Sequence, residues 1–520
     1  MHRPNHSSIH SDSTLIQTTE KLRSKLTKSS ITVVLLALIG APLGYGIRMI
    51  LSRTLEPEMF GLMYAVIALF ALLSEYNDLG FGYSVSYLIP KFLKKNQIKK
   101  VWNTFLYDLI IESGTAFFIS LLIIIFGKLL ATYYFKTPVA VPMLSIGLIF
   151  FISHSITSAF KKFFIGIQRE RIYSSIDVFY YLIVFTATVL LFANSSTDII
   201  SYFFYWSFSY LIVSLGVMAI FILKHRDIVS RPTWDSSLFK RMFSFAVPTL
   251  LTTTIGTILK SADIFFLTLF SGLTSVGTYN IIFPIMNIPQ IFMSPIRTLL
   301  MPAVSSLAGS SEDQLILVTE KILKIVPVLS FYFCFFVFMY PEPIIQTLFG
   351  SKWINLAYIP LKISAVSYLF FLTGGFLATI VSGLGLVRKR LFLSAISTII
   401  SISIGFLLIK PLGVVGAAWG GLILFTFNFF GNYGFISSVI KIKLPLKLYS
   451  YLLAFGGVFY MISWQVDISP SGLVGLLFAG TIYTFIYIIF MSMMKDTRYE
   501  MLRGFSWAYN SFRKIKKDIV

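Results

Sequence analysis

The sequence predicts an all-α polytopic membrane protein of about 14 transmembrane helices. Three observations predict it. The chain of 520 residues is 56% hydrophobic and only 12% charged. Its mean hydropathy is +0.81, well outside the range of a soluble enzyme. Its apolar runs recur between short polar connections, each near the roughly 20 residues that a helix needs to cross the hydrocarbon. In lipid the backbone must satisfy its own hydrogen bonds, so such runs are helices.

The spans in order are 31–52, 60–88, 101–126, 140–160, 173–193, 199–223, 243–270, 274–299, 321–340, 356–384, 391–409, 414–440, 446–464 and 473–493. Orientation follows from the basic residues. With Met1 in the cytoplasm, inner segments and inner span ends collect 35 of the 43 Lys and Arg, and outer connections hold five. This is the positive-inside bias. It places both termini in the cytoplasm and accounts for the net charge of +21 through topology and attraction to anionic lipid. No basic segment is long enough to form a nucleic-acid-binding domain.

Six domains are expected: a polar cytoplasmic tail, 1–30; an N-terminal six-helix bundle, 31–223; a cytoplasmic linker, 224–242; a C-terminal six-helix bundle, 243–440; an accessory helix pair, 441–493; and a basic cytoplasmic tail, 494–520. The tail 1–30 lacks the apolar core of a signal peptide. Its His2, His6 and His10 read as part of a solvated tail. Short outer turns in each half close on a Gly and then an aromatic, at Gly61 with Tyr64 and at Gly277 with Tyr279. Six spans return the chain to its starting side, so the halves are parallel repeats about an axis along the membrane normal. The tail after Met493 mixes Trp507 and Phe512 with lysines and arginines and reads as an amphipathic segment on the inner leaflet. The single cysteine, Cys334, excludes an intrachain disulfide or a redox pair.

Ionisable residues inside spans cost about 2.5–3.5 kcal/mol each on insertion scales and by default mark a working site. Arg48, Lys260 and Lys362 fall in the outer half of the membrane. A cationic cavity is the reading, since buried Lys and Arg attract a polyanion such as phosphate. Tyr45, Tyr76, Tyr83 and Tyr87 offer rings for stacking on sugars. Glu75 and Asp78 share a face of span two, and Asp108 and Glu112 share a face of span three. All four lie toward the inner side, with Lys91–Lys100 as expected partners. Asp263, Glu75 and Asp78 are the candidates for ion or proton coupling. Asp78 precedes Leu79-Gly80-Phe81-Gly82, where two glycines bend the helix. His154 reads as a core histidine. No Asp-x-Asp metal pair and no Walker-type loop occurs. No cofactor, metal or catalytic residue is therefore expected, and the chain is read as no enzyme.

Leu55-Glu56-Pro57-Glu58-Met59-Phe60-Gly61 followed by Asp78-Leu79-Gly80-Phe81-Gly82 resembles the opening hairpin of bacterial polysaccharide flippases. These belong to the multidrug/oligosaccharidyl-lipid/polysaccharide exporter superfamily. Ala262-Asp263 with Gly277-Thr278-Tyr279 is similar to that family's seventh and eighth spans. The run Leu408-Ile409-Lys410-Pro411-Leu412-Gly413-Val414-Val415-Gly416-Ala417-Ala418 is similar to its turn between spans eleven and twelve. The resemblance covers about 31–440. It implies a flippase of the bacterial cytoplasmic membrane, moving an undecaprenyl-pyrophosphate-linked oligosaccharide (a surface-polysaccharide or O-antigen repeat unit) from inner to outer leaflet by alternating access. Implied partners are that lipid-linked oligosaccharide, membrane lipid and other polysaccharide-assembly proteins. Family cavities are cationic in spans one and seven or eight, which Arg48 and Lys260 match. The last two spans help accommodate the lipid tail in the family. Two alternatives stand beside this: a multidrug cation antiporter of the same superfamily, and a membrane-embedded glycan polymerase or glycosyltransferase. The latter needs a larger external loop than Gly127–Val139 or Pro341–Asn355 provides.

Overall fold

The computed structural model describes residue 36, residues 38–231, 233–308, 311–466 and 470–494. The expectations for both terminal tails, and for His2, His6 and His10, fall outside these residues. Every described element is helical, with no strand among the described residues. The helices are α1 (38–54), α2 (Pro57–Ser74), α3 (Gly82–Lys94), α4 (Ile98–Leu129), α5 (Ala140–Gly166), α6 (Glu170–Ala193), α7 (Ile199–Lys224) and α8 (Ser236–Phe266). There follow α9 (Leu273–Ala308), α10 (Glu312–Met339), α11 (Pro341–Phe349), α12 (Ile354–Gly383), α13 (Val387–Ile404), α14 (Val414–Ser437), α15 (Leu446–Val466) and α16 (Gly472–Met493). Among the described residues 11 helices are long and apolar enough to cross a bilayer, or 12 if the bent α9 is one span. Among the described residues each of the expected spans falls mainly on helix, span two in two pieces.

Two differences from the expected spans matter. Span two is not one rod: α2 stops at Ser74 and α3 begins at Gly82. The outer connection 341–355 is not a loop but carries the short α11.

Helix ends are closed by local chemistry. Asn96, Gln168, Ser195 and Gly385 adopt positive φ just beyond α3, α5, α6 and α12. Each lets an amide reach back five residues: Gln97 N to Phe92 O (2.9 Å), Arg169 N to Phe164 O (2.8 Å), Ser196 N to Leu191 O (3.0 Å) and Leu386 N to Val381 O (3.2 Å). That satisfies carbonyls left open at a helix C-terminus. At N-termini, Asp198 accepts from Ile200 N and Ser201 N (both 3.1 Å), and Asp235 accepts from Leu238 N (3.0 Å).

The Asp198 cap lies outside the spans, and its hydrogen bonds, the largest from the Ser201 hydroxyl, hold its carboxyl below the usual carboxylate range. Asp198→Ala is expected to cost about 1 kcal/mol. A lowered folded value means that the contribution is present at neutral pH. It fades as pH falls through the acid range. Thermal unfolding of wild type and variant at two pH values checks both parts.

Contacts divide the chain into two compact units, Met1–Thr274 and Ser275–Val520. In the first, α5 lies against α3, α4 and α7. Phe105 of α4 packs on Phe160, Phe163 and Phe221, with ring centroids 5.1, 4.9 and 5.4 Å apart. His154 is flanked by Phe150 (5.3 Å) and Tyr210 (5.1 Å), a core setting. In the second unit α12 packs on α10 and α14. The pair α15–α16 docks on α10 through a cluster that includes Phe331, Phe455, Tyr483 and Tyr487. Two phenols of α16 fasten it: Tyr483 donates to Tyr332 O (3.0 Å) and Tyr487 to Val328 O (2.8 Å). The other face of the pair exposes large apolar side chains such as Leu453, Met461, Val474 and Phe478, as a lipid-facing surface requires.

Candidate functional site

The break in span two positions the first unit's charges. Leu79 and Gly80 have φ of 47° and 82°, a left-handed pair that no helix continues through. Asp78 stabilises the turn by accepting from Gly80 N through Oδ1 (2.8 Å). Asn77 ties it to α5 by donating to Ser155 Oγ (2.6 Å). Gly80 packs so closely on α8 that a Cβ there would overlap the carbonyl oxygen of Ala246.

The turn aims Asp78 at Lys162 of α5. Lys162 Nζ donates to Asp78 Oδ2 (2.9 Å) and to Glu112 Oε2 (2.8 Å), and stands 3.9 Å from Asp108 Oδ2. Asp108 is 0% and Glu112 is 2% exposed. Gly82 makes the approach possible: a Cβ there would lie 2.5 Å from both Asp78 Oδ2 and Lys162 Cε. The expected partners were Lys91–Lys100. Instead Lys91 stands 3.6 Å from the Tyr87 ring centroid, Lys100 stands 5.8 Å from that of Phe92, and three of the four acids converge on Lys162. Glu75 is exposed on the near side of the break and joins no ion pair among the described residues. The neighbouring Lys161 has its own partner, Asp177, at 2.8 Å.

The three expected cations sit differently. Arg48 of α1 lies over the Tyr64 ring at 4.5 Å. Lys260 lies on α8, and its side chain falls outside the described residues; Asp263, one turn on, is half-buried. Lys362 of α12 has no carboxylate partner among the described residues and is held by rings. Its Nζ donates to Tyr358 Oη (2.9 Å) and lies 4.7, 5.2 and 6.0 Å from the ring centroids of Tyr358, Phe338 and Tyr460. Phe338 and Tyr460 also line an apolar cavity of about 280 Å³, together with Phe331, Cys334, Leu369 and Gly456. Of the tyrosines expected to meet sugars, Tyr83 and Tyr87 form an exposed stacked pair on α3 (6.5 Å, 11°).

Lys162 was missed by sequence reasoning, which ended span four at Phe160 and counted Lys161-Lys162 as loop charge. The signal lay in the flanks. Phe160, Phe163 and Phe164 are all buried, and α5 runs on to Gly166, so a lysine in that run is inside the fold.

This is the fold of a multi-pass, all-helical membrane protein. It matches the lipid II flippase MurJ in an inward closed conformation with a TM-score of 0.63 at 13% identity, covering 89% of this chain and 98% of MurJ. It matches an inward-facing multidrug resistance MATE family transporter of the MOP superfamily at 0.62 and 15% identity, covering 78% of this chain and 98% of that one. In sequence, an uncharacterized membrane protein of Methanocaldococcus jannaschii is 24% identical over 479 residues, 87% of this chain and 92% of that protein. The family profile described as "Polysaccharide biosynthesis protein" matches residues 26–308, more than half of the chain. The chain belongs to that family.

Proposed function

We propose that this protein is a flippase for a polyprenyl-diphosphate-linked oligosaccharide, an undecaprenyl-pyrophosphate-linked surface-polysaccharide unit in the form read from the sequence. It carries the headgroup from the inner to the outer leaflet of the bacterial cytoplasmic membrane. Both termini are cytoplasmic in this reading. The moving parts are the six-span halves 31–223 and 243–440, joined by 224–242, with 441–493 as an accessory pair and alternating access as the mode of transport.

One observation carries the choice of an anionic cargo. Lys362 sits within a span, held by π faces and a phenol rather than by a carboxylate. Cation–π contacts of this kind lower the cost of the charge in lipid, by roughly 0.5–2 kcal/mol each, without consuming it as an ion pair would. The ammonium thus keeps charge to offer a phosphate. Arg48 and Lys260 are assigned the same role, and the exposed Tyr83–Tyr87 pair offers a stacking surface for sugar rings. The membrane potential supplies a driving force: each charge leaving a negative interior gains about 2.3 kcal/mol per 100 mV. Asp263, Glu75 and Asp78 are the residues assigned to any ion coupling. Family membership supports a role in polysaccharide assembly and a place beside other assembly proteins. The reaction is transport, and no covalent chemistry is assigned to the chain.

A second reading, the multidrug cation antiporter, is favoured by one feature: three carboxylates gather about Lys162, as a coupling site for an exchanged cation would need. Export assays separate the two. In cells that depend on this gene for a surface glycan, Arg48→Ala and Lys362→Ala are each expected to lower glycan export at least tenfold while leaving drug sensitivity unchanged. Undiminished export with altered drug sensitivity would favour the cation antiporter.

A further inference from the structure

The Lys162 cluster is unbalanced. It sets three carboxylates, those of Asp78, Asp108 and Glu112, about one ammonium. With all four groups ionised it carries an excess of two negative charges. The imbalance falls on Asp108. The Lys162 hydrogen bonds go to Asp78 and Glu112. Asp108 is fully buried, and among the described residues neither of its carboxylate oxygens accepts a hydrogen bond.

The elements packed against α4 bring Asp108 little else. From α5 come Lys162 and, beyond it, Lys161, which is taken by Asp177. Glu112 lies one turn along α4 itself, and Asp78 comes from the break before α3. The lysines of α3 include Lys91, which is engaged with Tyr87. Neither α8 nor the short turn at Arg226–Ile228 forms an ion pair with Asp108 among the described residues. A buried carboxylate with no hydrogen bond among the described residues, whose one counter-charge stands 3.9 Å off and is hydrogen-bonded to two other carboxylates, is costly, and in practice such a group neutralises. The neutral acid also gains an O–H donor that the carboxylate lacks.

We propose that this cluster is a proton site: it holds one exchangeable proton, carried on Asp108 and shared with Glu112 across Lys162. The ligand is the proton, not a metal and not an organic cation. No metal-binding group of His, Cys, Asp or Glu occurs among the described residues. The close packing about Gly82, where even a Cβ would meet Asp78 and Lys162 at 2.5 Å, admits no organic cation between these side chains.

Proton occupancy then sets how firmly Lys162 holds the break in span two. With the proton bound, Lys162 serves Asp78 and Glu112. With it released, the new charge on Asp108 competes for the ammonium. Asp78 is the partner that loses, being at 24% the most exposed of the three. Asp78 also fixes the turn at Gly80, so its release loosens the break. This inference goes beyond the cargo reading and does not rest on it.

The test uses the full-length protein in lipid nanodiscs without cargo, followed by infrared difference spectroscopy as pH is stepped, in H2O and in D2O. A carboxylic-acid C=O band is expected that shifts in D2O and titrates away at high pH. Asp108→Asn should lose it, Glu112→Gln should displace it, and Glu58→Gln, in the first turn of α2, should leave it alone. An alkaline jump should release one proton fewer per chain from Asp108→Asn than from wild type. If Asp108→Asn does not fold, the Glu112→Gln displacement decides. Carboxylate bands alone at every pH would overturn the proposal. So would an acid band unchanged in both variants, or binding that follows sodium instead of pH. None of these outcomes bears on whether the protein flips a glycolipid.

Discussion

Lys162→Met is expected to destabilise the protein more than any other single side-chain substitution, by about 3–5 kcal/mol. Methionine fills much of the same space, so the loss is electrostatic. The change removes the one cation that Asp78, Asp108 and Glu112 share, and it leaves two nearly inaccessible acids and the turn-forming Asp78 without that counter-charge. Breaking a buried pair from one side is costly because the remaining charge is stranded. The same logic predicts rescue. Adding Asp108→Asn and Glu112→Gln to Lys162→Met removes the stranded acids and should recover much of the loss. Unfolding midpoints of the single, double and triple variants in one detergent test this. If the single variant is as stable as wild type, Lys162 is not the centre of the cluster.

Gly80→Ala is the second large effect. Gly80 sits at φ 82°, where an L side chain is strained, and an added Cβ would overlap the backbone carbonyl of Ala246 on α8. Strain at such a position costs about 1–3 kcal/mol, and overlap with a main-chain atom adds a further roughly 1–3 kcal/mol because no flexible side chain can move aside. Gly434, by contrast, has open space around its Cβ position and lies in helix α14. Gly434→Ala is therefore expected to be neutral or slightly stabilising. A Gly80→Ala protein that expresses and melts like Gly434→Ala would mean that the break in span two is not built as described.

Much of the fold was legible because a bilayer leaves the chain few choices. Apolar runs of spanning length had to be helices, and they are. The bend after Asp78 was legible too, from Gly80 and Gly82. The local sequence does not show how complete the break is: that depends on the Asp78 carboxylate folding back on Gly80 N and on α8 packing over the turn. The acids of span three were legible as a pair on one face through the four-residue spacing of Asp108 and Glu112. Their partner was not, because Lys162 lies 50 residues beyond Glu112 in a stretch that reads as loop charge. The same limit applies to Lys362. Tyr358 precedes it by one helical turn and was within reach of sequence logic. Phe338 and Tyr460 come from α10 and α15 and meet Lys362 only through tertiary packing.

The two charged centres divide the labour in this account. The acid cluster about Lys162 governs the break in span two. In the proposed function Lys362, held by rings and a phenol, is the cation that receives the cargo's phosphates. The most direct test of that central claim is reconstitution in liposomes carrying a fluorescent polyprenyl-diphosphate oligosaccharide, with a membrane-impermeant reagent scoring how much headgroup is reached from outside. With the inner leaflet loaded and an inside-negative potential applied, wild-type protein should bring the headgroup out, and Lys362→Ala should slow this at least tenfold. Headgroup that stays inside with wild-type protein, while the same vesicles move an organic cation, would contradict the account.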